Sequence, residues 1–225
     1  MKITRRNITL LLHTCRYLKF SQIYYKTLNT IRFRLYKIFP RLAQFQARPK
    51  NIDIKVCTAC FLTGINRAVY QPNDCLDSDD ITDNADKIAK GEFGFLSITR
   101  FFPDEIGWRD PSLNHLWRYQ LQYFNYAKEL GMAGWLKEDS VYFRAFCRLV
   151  DSWIVGNPYG SLDGWHPFTI SIRVVNWIYA YVLFADYIEE DTGFQKRFLK
   201  SLHEQCNFLS RHLEFEARGN HLLSN

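Results

Sequence analysis

Glycine and proline are scarce, at 11 and 7 in 225 residues. That excludes collagen-like and low-complexity material, and it weighs against an all-β protein built on many tight turns. Cysteine is too sparse for a disulfide scaffold: Cys15, Cys57, Cys60, Cys75, Cys147 and Cys206 are the whole set. Cys57 and Cys60 form one CxxC, but a zinc ribbon wants a second pair at similar spacing and none follows. Cys147 and Cys206 fall on expected helical faces, where a free thiol behaves as a small hydrophobe. No apolar run reaches the ~20 residues that a spanning helix needs. The longest, VVNWIYAYVLFA over 174–185, contains Asn176 and is flanked by Arg173 and Asp186, so a buried helix is expected there. The leader is equally poor. Asn7, His13 and Thr14 interrupt its short apolar run, and no small-residue cleavage site follows.

Acidic residues are missing altogether from residues 1–50, which hold 12 Lys and Arg. The remaining residues carry 17 Lys and Arg against 23 Asp and Glu. The net charge of +6 therefore averages a basic arm and a mildly acidic body. Such an arm fits an anionic partner, whether nucleic acid, phospholipid or polyanionic sugar, or it is simply a solvated basic surface.

What is present is hydrophobic and aromatic, at 47% and 16% of residues, enough to build a sizeable core. Three regions are expected: a basic helical arm over 1–50, a linker with a short helix and a short strand over 51–109, and a helical body over 110–225. In the arm, Leu18, Ile23, Leu28, Ile31, Leu35 and Ile38 recur among basic and aromatic residues, and Pro40 ends the pattern. The apolar side is expected to pack on the body, with a membrane surface as the other reading. In the linker, an Asp-rich stretch invites a calcium loop. Starting at Asp77, however, the glycine and carboxylate positions hold Thr82 and Ile88, so an EF-hand is excluded. ITDNADKIAKG reads as a short helix, and EFGFLSITRFF as a strand or hairpin.

The body reads as four helices. The first runs over 110–131, capped by Asp110-Pro111 and stopped by Gly131. The second opens at Asp139/Ser140 and ends at Gly156-Asn157-Pro158. The third covers 169–189 and is apolar almost all round. The fourth covers 194–215, with Phe198, Leu202, Cys206, Leu209 and Leu213 as its apolar stripe. Short loops make antiparallel helical hairpins of these.

Two constellations carry chemistry. Gly219-Asn220-His221 pairs an amide with an imidazole, and its plain reading is a polar cap and a surface histidine. GWHPFTISIRVVNWI holds Trp165, His166, Arg173, Asn176 and Trp177. Arg173 and Asn176 share a helical face. An arginine, an amide and aromatic planes can hold a carboxylated sugar; equally, they can be a structural ion pair and core tryptophans.

In order along the chain, RYLKFSQIYYKTLNTIRFRLYK, ADKIAKGEFGFL, HLWRYQLQYFNYAKEL, GWHPFTISIRVVNWI and HLEFEARGNHLLSN resemble the N-terminal part of heparinase II/III-type polysaccharide lyases, especially those found with bacterial exopolysaccharide genes. The resemblance implies a mainly α fold, a partial (α/α) toroid whose β-sandwich partner is not in this sequence. It implies β-elimination on uronic-acid polymers: the carboxylate is neutralised, a base takes the C5 proton, and an acid protonates the leaving oxygen. The family's Asn-His motif falls on Asn220, which would bind the carboxylate, and His221, which would support the base. Trp165, His166, Arg173 and Asn176 would line subsites. The acid/base tyrosine and a second histidine of the family have no counterpart here, so activity of this chain alone is not expected. The resemblance implies no organic cofactor and no metal. It makes an acidic polysaccharide the expected partner rather than nucleic acid, and the periplasm or cell envelope the expected setting, or the cytoplasm if the leader is no signal. A non-catalytic helical domain that binds anionic polysaccharide or membrane is the alternative, as is a gene fragment without function.

Overall fold

The computed structural model describes residues 19–39, 78–161 and 163–213. In chain order the elements are α1 (Phe20–Ile38), α2 (Ser78–Ala89), β1 (Glu92–Phe95), β2 (Ile98–Phe101), α3 (His115–Tyr123), α4 (Tyr126–Lys137), α5 (Ser140–Gly156), α6 (Pro167–Leu183), α7 (Ala185–Glu190) and α8 (Thr192–Arg211). The fold is mainly helical, and its helix–helix packing is that of an antiparallel helical-hairpin arrangement. The two strands form an isolated antiparallel pair, with Phe93 opposite Arg100 and Phe95 opposite Ile98. The expected short helix and hairpin of the linker are both present, as α2 and β1–β2.

Helix α4 lies at the centre, against α2, α5 and α6. It is covered on several sides, so buried residues occur all round it rather than on one stripe. Gly131 and Gly134 are what let α6 approach. A Cβ on Gly131 would stand 2.7 Å from Leu183 Cδ1, and one on Gly134 would stand 2.6 Å from Phe184 Cε1.

These glycines correct the expected 110–131 helix, since Gly131 is a packing contact inside α4 and not a stop. The start differs too. The Asp110 carboxylate accepts from Ser112 N in a turn, and the helix begins only at Asn114, whose side chain accepts from Leu116 N. The expected single helix also breaks at Phe124, which takes a left-handed φ of 57°. Asn176 of α6 makes the break affordable by donating Nδ2 to the freed Tyr123 carbonyl and to Asn125 Oδ1, each at 2.8 Å.

The other helices follow their local signals more closely. Asp139 caps α5 by accepting from Val141 N, and α5 ends at Gly156 as expected. The expected third helix is two: α6 ends at Leu183, and α7 follows after Phe184. Asp191 caps α8, whose first residue, Thr192, is two ahead of the expected start, and residues 214 and beyond lie outside the described residues. The buried face of α8 is Phe194, Phe198, Leu202, Gln205 and Phe208, whereas Cys206 is exposed. The expected stripe was rotated because it excluded a glutamine from the core. Cys147 is half-buried, and burial, with Asp191 and Asp151 nearby, pushes its thiol up to about 12. The CxxC lies outside the described residues.

Helix α1 is one continuous helix ending before Pro40. Its docking face is not the expected aliphatic one. Asn29 and Tyr36 are buried and Phe33 packs on the core, while Ile31, Leu35 and Ile38 are exposed. Tyr36 OH lies 3.2 Å from His212 Nε2, and Arg32 Nη1 donates to the Arg211 carbonyl at 3.0 Å. No described helix is long and apolar enough to cross a membrane.

Candidate functional site

Helix α3 places His115, Tyr119 and Tyr123 at four-residue intervals, so their rings rise along one face. Centroids are 4.4 Å apart for His115–Tyr119 and 6.3 Å for Tyr119–Tyr123, the second pair stacked. The start of α6 adds two rings to the row. His166 stands 5.7 Å from Tyr119, and Phe168 meets Tyr123 edge-on at 5.9 Å.

His166 is also the cap of α6. Its Nδ1 accepts from Phe168 N at 3.3 Å, and Pro167 follows at the first helical position, where a missing N–H costs nothing. That bond makes Nδ1 the acceptor and leaves the ring proton on Nε2. Just before it, Asp163 adopts a left-handed φ of 62°. Thr169 Oγ1 sits 2.7 Å from both the Asp163 and His166 carbonyls and pins the turn.

Asp163 gathers the charges of this surface. Arg118 Nε donates to its Oδ2 at 2.8 Å, and His115 Nε2 lies 3.2 Å from its Oδ1. Arg118 and Asp163 are each 15% exposed, while His115 is 57% exposed. Arg118 also donates to the Asp110 and Leu113 carbonyls, which fixes the loop leading into α3. Burial pushes the Tyr123 hydroxyl above its ordinary value, so it is a neutral donor near pH 7.

Beneath this row lies the polar core. Arg173 is 0% exposed. Its Nε donates to Gln205 Oε1 at 2.7 Å, Nη1 to the Gln122 carbonyl at 3.1 Å and Nη2 to the Gly164 carbonyl at 2.7 Å. Its guanidinium lies over the Trp153 ring at 3.9 Å. Burial lowers its pKa well below the ordinary value. Gln122 continues the network, accepting from Trp153 Nε1 and donating to the Trp108 carbonyl and to Asn157 Oδ1. Trp165 is buried, and its Nε1 donates to the Asn157 carbonyl.

Of the residues singled out in the sequence, His166 therefore reaches the ring row, while Trp165, Arg173 and Asn176 lie in the core below with their polar atoms committed to the protein. Asn220 and His221 lie outside the described residues. Sequence reading missed His115, Tyr119, Tyr123 and Asp163. The period of four in HLWRYQLQY was the signal for the first three; nothing in the sequence marks Asp163.

A separate cavity of about 330 Å³ lies among α2, the hairpin, α3 and α4. Asn84, Lys87, Glu92, Thr99, Gln120, Asn125 and Glu129 are among its polar lining. Burial pushes the Glu129 carboxyl up. Among the described residues, no group of three His, Cys, Asp or Glu could hold a metal ion.

The family model for the heparinase II/III N-terminus matches residues 49–225. Among solved structures, the heparan sulfate lyase HepC from Pedobacter heparinus superposes with a TM-score of 0.59 at 23% identity, over 87% of this chain and 29% of that one. A mutant of the same lyase gives 0.59 at 24%, over 90% and 30%. The chain thus spans less than a third of these relatives, and at such identity the likeness is one of fold. No curated protein matches the chain.

Proposed function

Because this chain belongs to the heparinase II/III family through its N-terminal module, we propose that it is the first part of a lyase that cleaves an acidic, uronate-containing polysaccharide by β-elimination. The observation that carries the proposal is the family match itself, which runs through the Gly219-Asn220-His221 motif. The helical hairpins correspond to the opening portion of an (α/α) toroid, and the setting is extracytoplasmic.

In the reaction, Asn220 donates hydrogen bonds to the uronate carboxylate, which makes the C5 proton more acidic. His221 supports the base that removes that proton. The electrons form the C4–C5 double bond, the C4–O4 bond breaks, and an acid from elsewhere in the complete enzyme protonates the leaving oxygen. No electron acceptor is consumed.

The ring row of His115, Tyr119, Tyr123 and His166 suits an extended sugar chain, because pyranose rings offer apolar faces to aromatic planes while their hydroxyls reach His and Asp. His166 makes direct contact in this arrangement. Trp165, Arg173 and Asn176 act from below, by holding the α6 start and the α3–α4 break in place.

The test is to incubate the complete reading frame with a panel of uronate polymers and follow the ultraviolet absorbance of the unsaturated product. Activity that Asn220→Ala abolishes supports the assignment. No product across the panel, or full activity in Asn220→Ala, overturns it. Retention of the 225-residue chain in affinity electrophoresis through the same polymers, without turnover, would favour a binding-only module.

A further inference from the structure

Helix α1 has two opposed faces, and among the described residues one of them packs on the body. Asn29 is buried, Phe33 and Tyr36 pack on Phe208 of α8, and Tyr36 also meets Tyr159. On the other side, Phe20, Tyr24, Thr27, Ile31, Leu35 and Ile38 follow one another at intervals of four, three, four, four and three residues. This is the spacing of a single helical stripe. Every member is exposed, from Phe20 at 84% to Ile38 at 65% and Leu35 at 38%. Phe39, at 57%, continues it past the helix end.

The exposed charges of this helix are of one sign. Lys19, Lys26 and Arg34 are exposed, and residues 1–50 contain no acid. The helix lies outside the residues that the family model matches. A soluble polyanion would pair with the lysines yet leave the aromatic and aliphatic stripe in water. An anionic lipid surface takes both, with the stripe in the acyl boundary and the basic side chains at the headgroups. The helix is too polar to span a bilayer, which fits a helix lying in the interface plane.

We propose that α1 is a docking element that seats the domain on an anionic lipid surface through Phe20, Tyr24, Ile31, Leu35 and Ile38, while Asn29, Phe33 and Tyr36 hold it to the helical body. The membrane-facing and protein-facing functions then belong to opposite sides of one helix.

The experiment is flotation of the intact 225-residue chain with phosphatidylcholine vesicles, with and without phosphatidylglycerol. Binding is expected to the anionic vesicles, to fall with salt, and to weaken about fivefold for each basic side chain removed in Lys26→Gln and Arg34→Gln. The triple change Phe20→Ser, Ile31→Ser and Ile38→Ser should lower it at least tenfold. These side chains are exposed, so the circular dichroism and melting of the body should not move. The proposal fails if the chain does not float with anionic vesicles, or if the triple variant floats as well as the parent. It also fails if sedimentation shows the parent as a dimer that the triple variant dissociates, since a second copy would then be the occupant of the stripe.

Discussion

Arg173 Nε donates to Gln205 Oε1 at 2.7 Å in the interior, and among the described residues the guanidinium's hydrogen-bond acceptors are one amide oxygen and two backbone carbonyls. A cation held this way is fixed by carbonyl dipoles and one indole face, which ties α6 to α8, to the end of α3 and to the turn before α6. Replacing it by Met keeps volume but leaves Gln205 Oε1 and the Gln122 and Gly164 carbonyls without a donor. Urea denaturation of Arg173→Met should show a loss of about 3 kcal/mol or more. A loss under about 1 kcal/mol would mean that the network is not a fold determinant.

Gly134 sets the α4–α6 distance. Gly134→Val should destabilise by about 1–3 kcal/mol, because its added carbons run into the Phe184 ring. Combining it with Phe184→Leu should recover part of that loss. An unchanged melting temperature in the single variant would contradict the close packing.

His212 links α1 to the body through one tautomer. Its Nδ1 donates to the Phe208 carbonyl at 2.8 Å, so its Nε2 is the acceptor for Tyr36 OH. Burial lowers its pKa, the Phe208 bond opposes this, and Arg32 and Arg211 lower it further. A histidine kept neutral in the folded chain takes its proton later than the unfolded chain does. Its contribution is therefore whole above about pH 6.5 and is lost as pH falls below that value. Hydrogen exchange across α1, corrected for intrinsic rate, should accelerate between pH 7 and 5, and His212→Gln should flatten that dependence.

Glu129 works in the opposite direction. Burial raises its pKa, so the folded chain binds a proton there before the unfolded chain does, and stability from this site rises as pH falls toward about 4.5. Glu129→Gln should therefore melt slightly higher than the parent at pH 7, with the difference disappearing near pH 4. A lower melting temperature at pH 7 would show that the carboxylate has a partner worth more than its burial costs.

Asp163 organises the ring row. Asp163→Asn keeps the side-chain size and tolerates the left-handed turn, but it removes the charge facing Arg118 and His115. Polymer affinity is expected to drop with only about 1 kcal/mol of stability lost. A stability loss with unchanged affinity would assign the residue to the fold alone.

Local signals in the sequence were legible where a neighbouring residue decides the outcome. Asp139 caps α5 from two residues away, and Gly156-Asn157-Pro158 ends it. The break at Phe124 was not legible, because the group that permits it, Asn176, is 52 residues further on. The same holds for the cores of α3 and α8. Gln122 and Gln205 count as surface residues by type, and only a buried arginine reverses that. For the site, His166 could be read from its motif, whereas the partnership of His115 with Asp163 spans 48 residues and had no trace in either segment. The mainly α fold and the family were readable because they rest on many segments in order.

The contact between Arg32 and the Arg211 carbonyl spans 179 residues. Tyr36, Phe33 and Asn29 leave the ribosome well before Phe208, Arg211 and His212. The first described helix therefore cannot complete its docking until residues 208–212 have been made, and during that interval its exposed stripe is joined by a protein-facing side that is still open. A helix that waits with an apolar stripe and a basic flank exposed is free to meet a lipid surface before it meets its own domain.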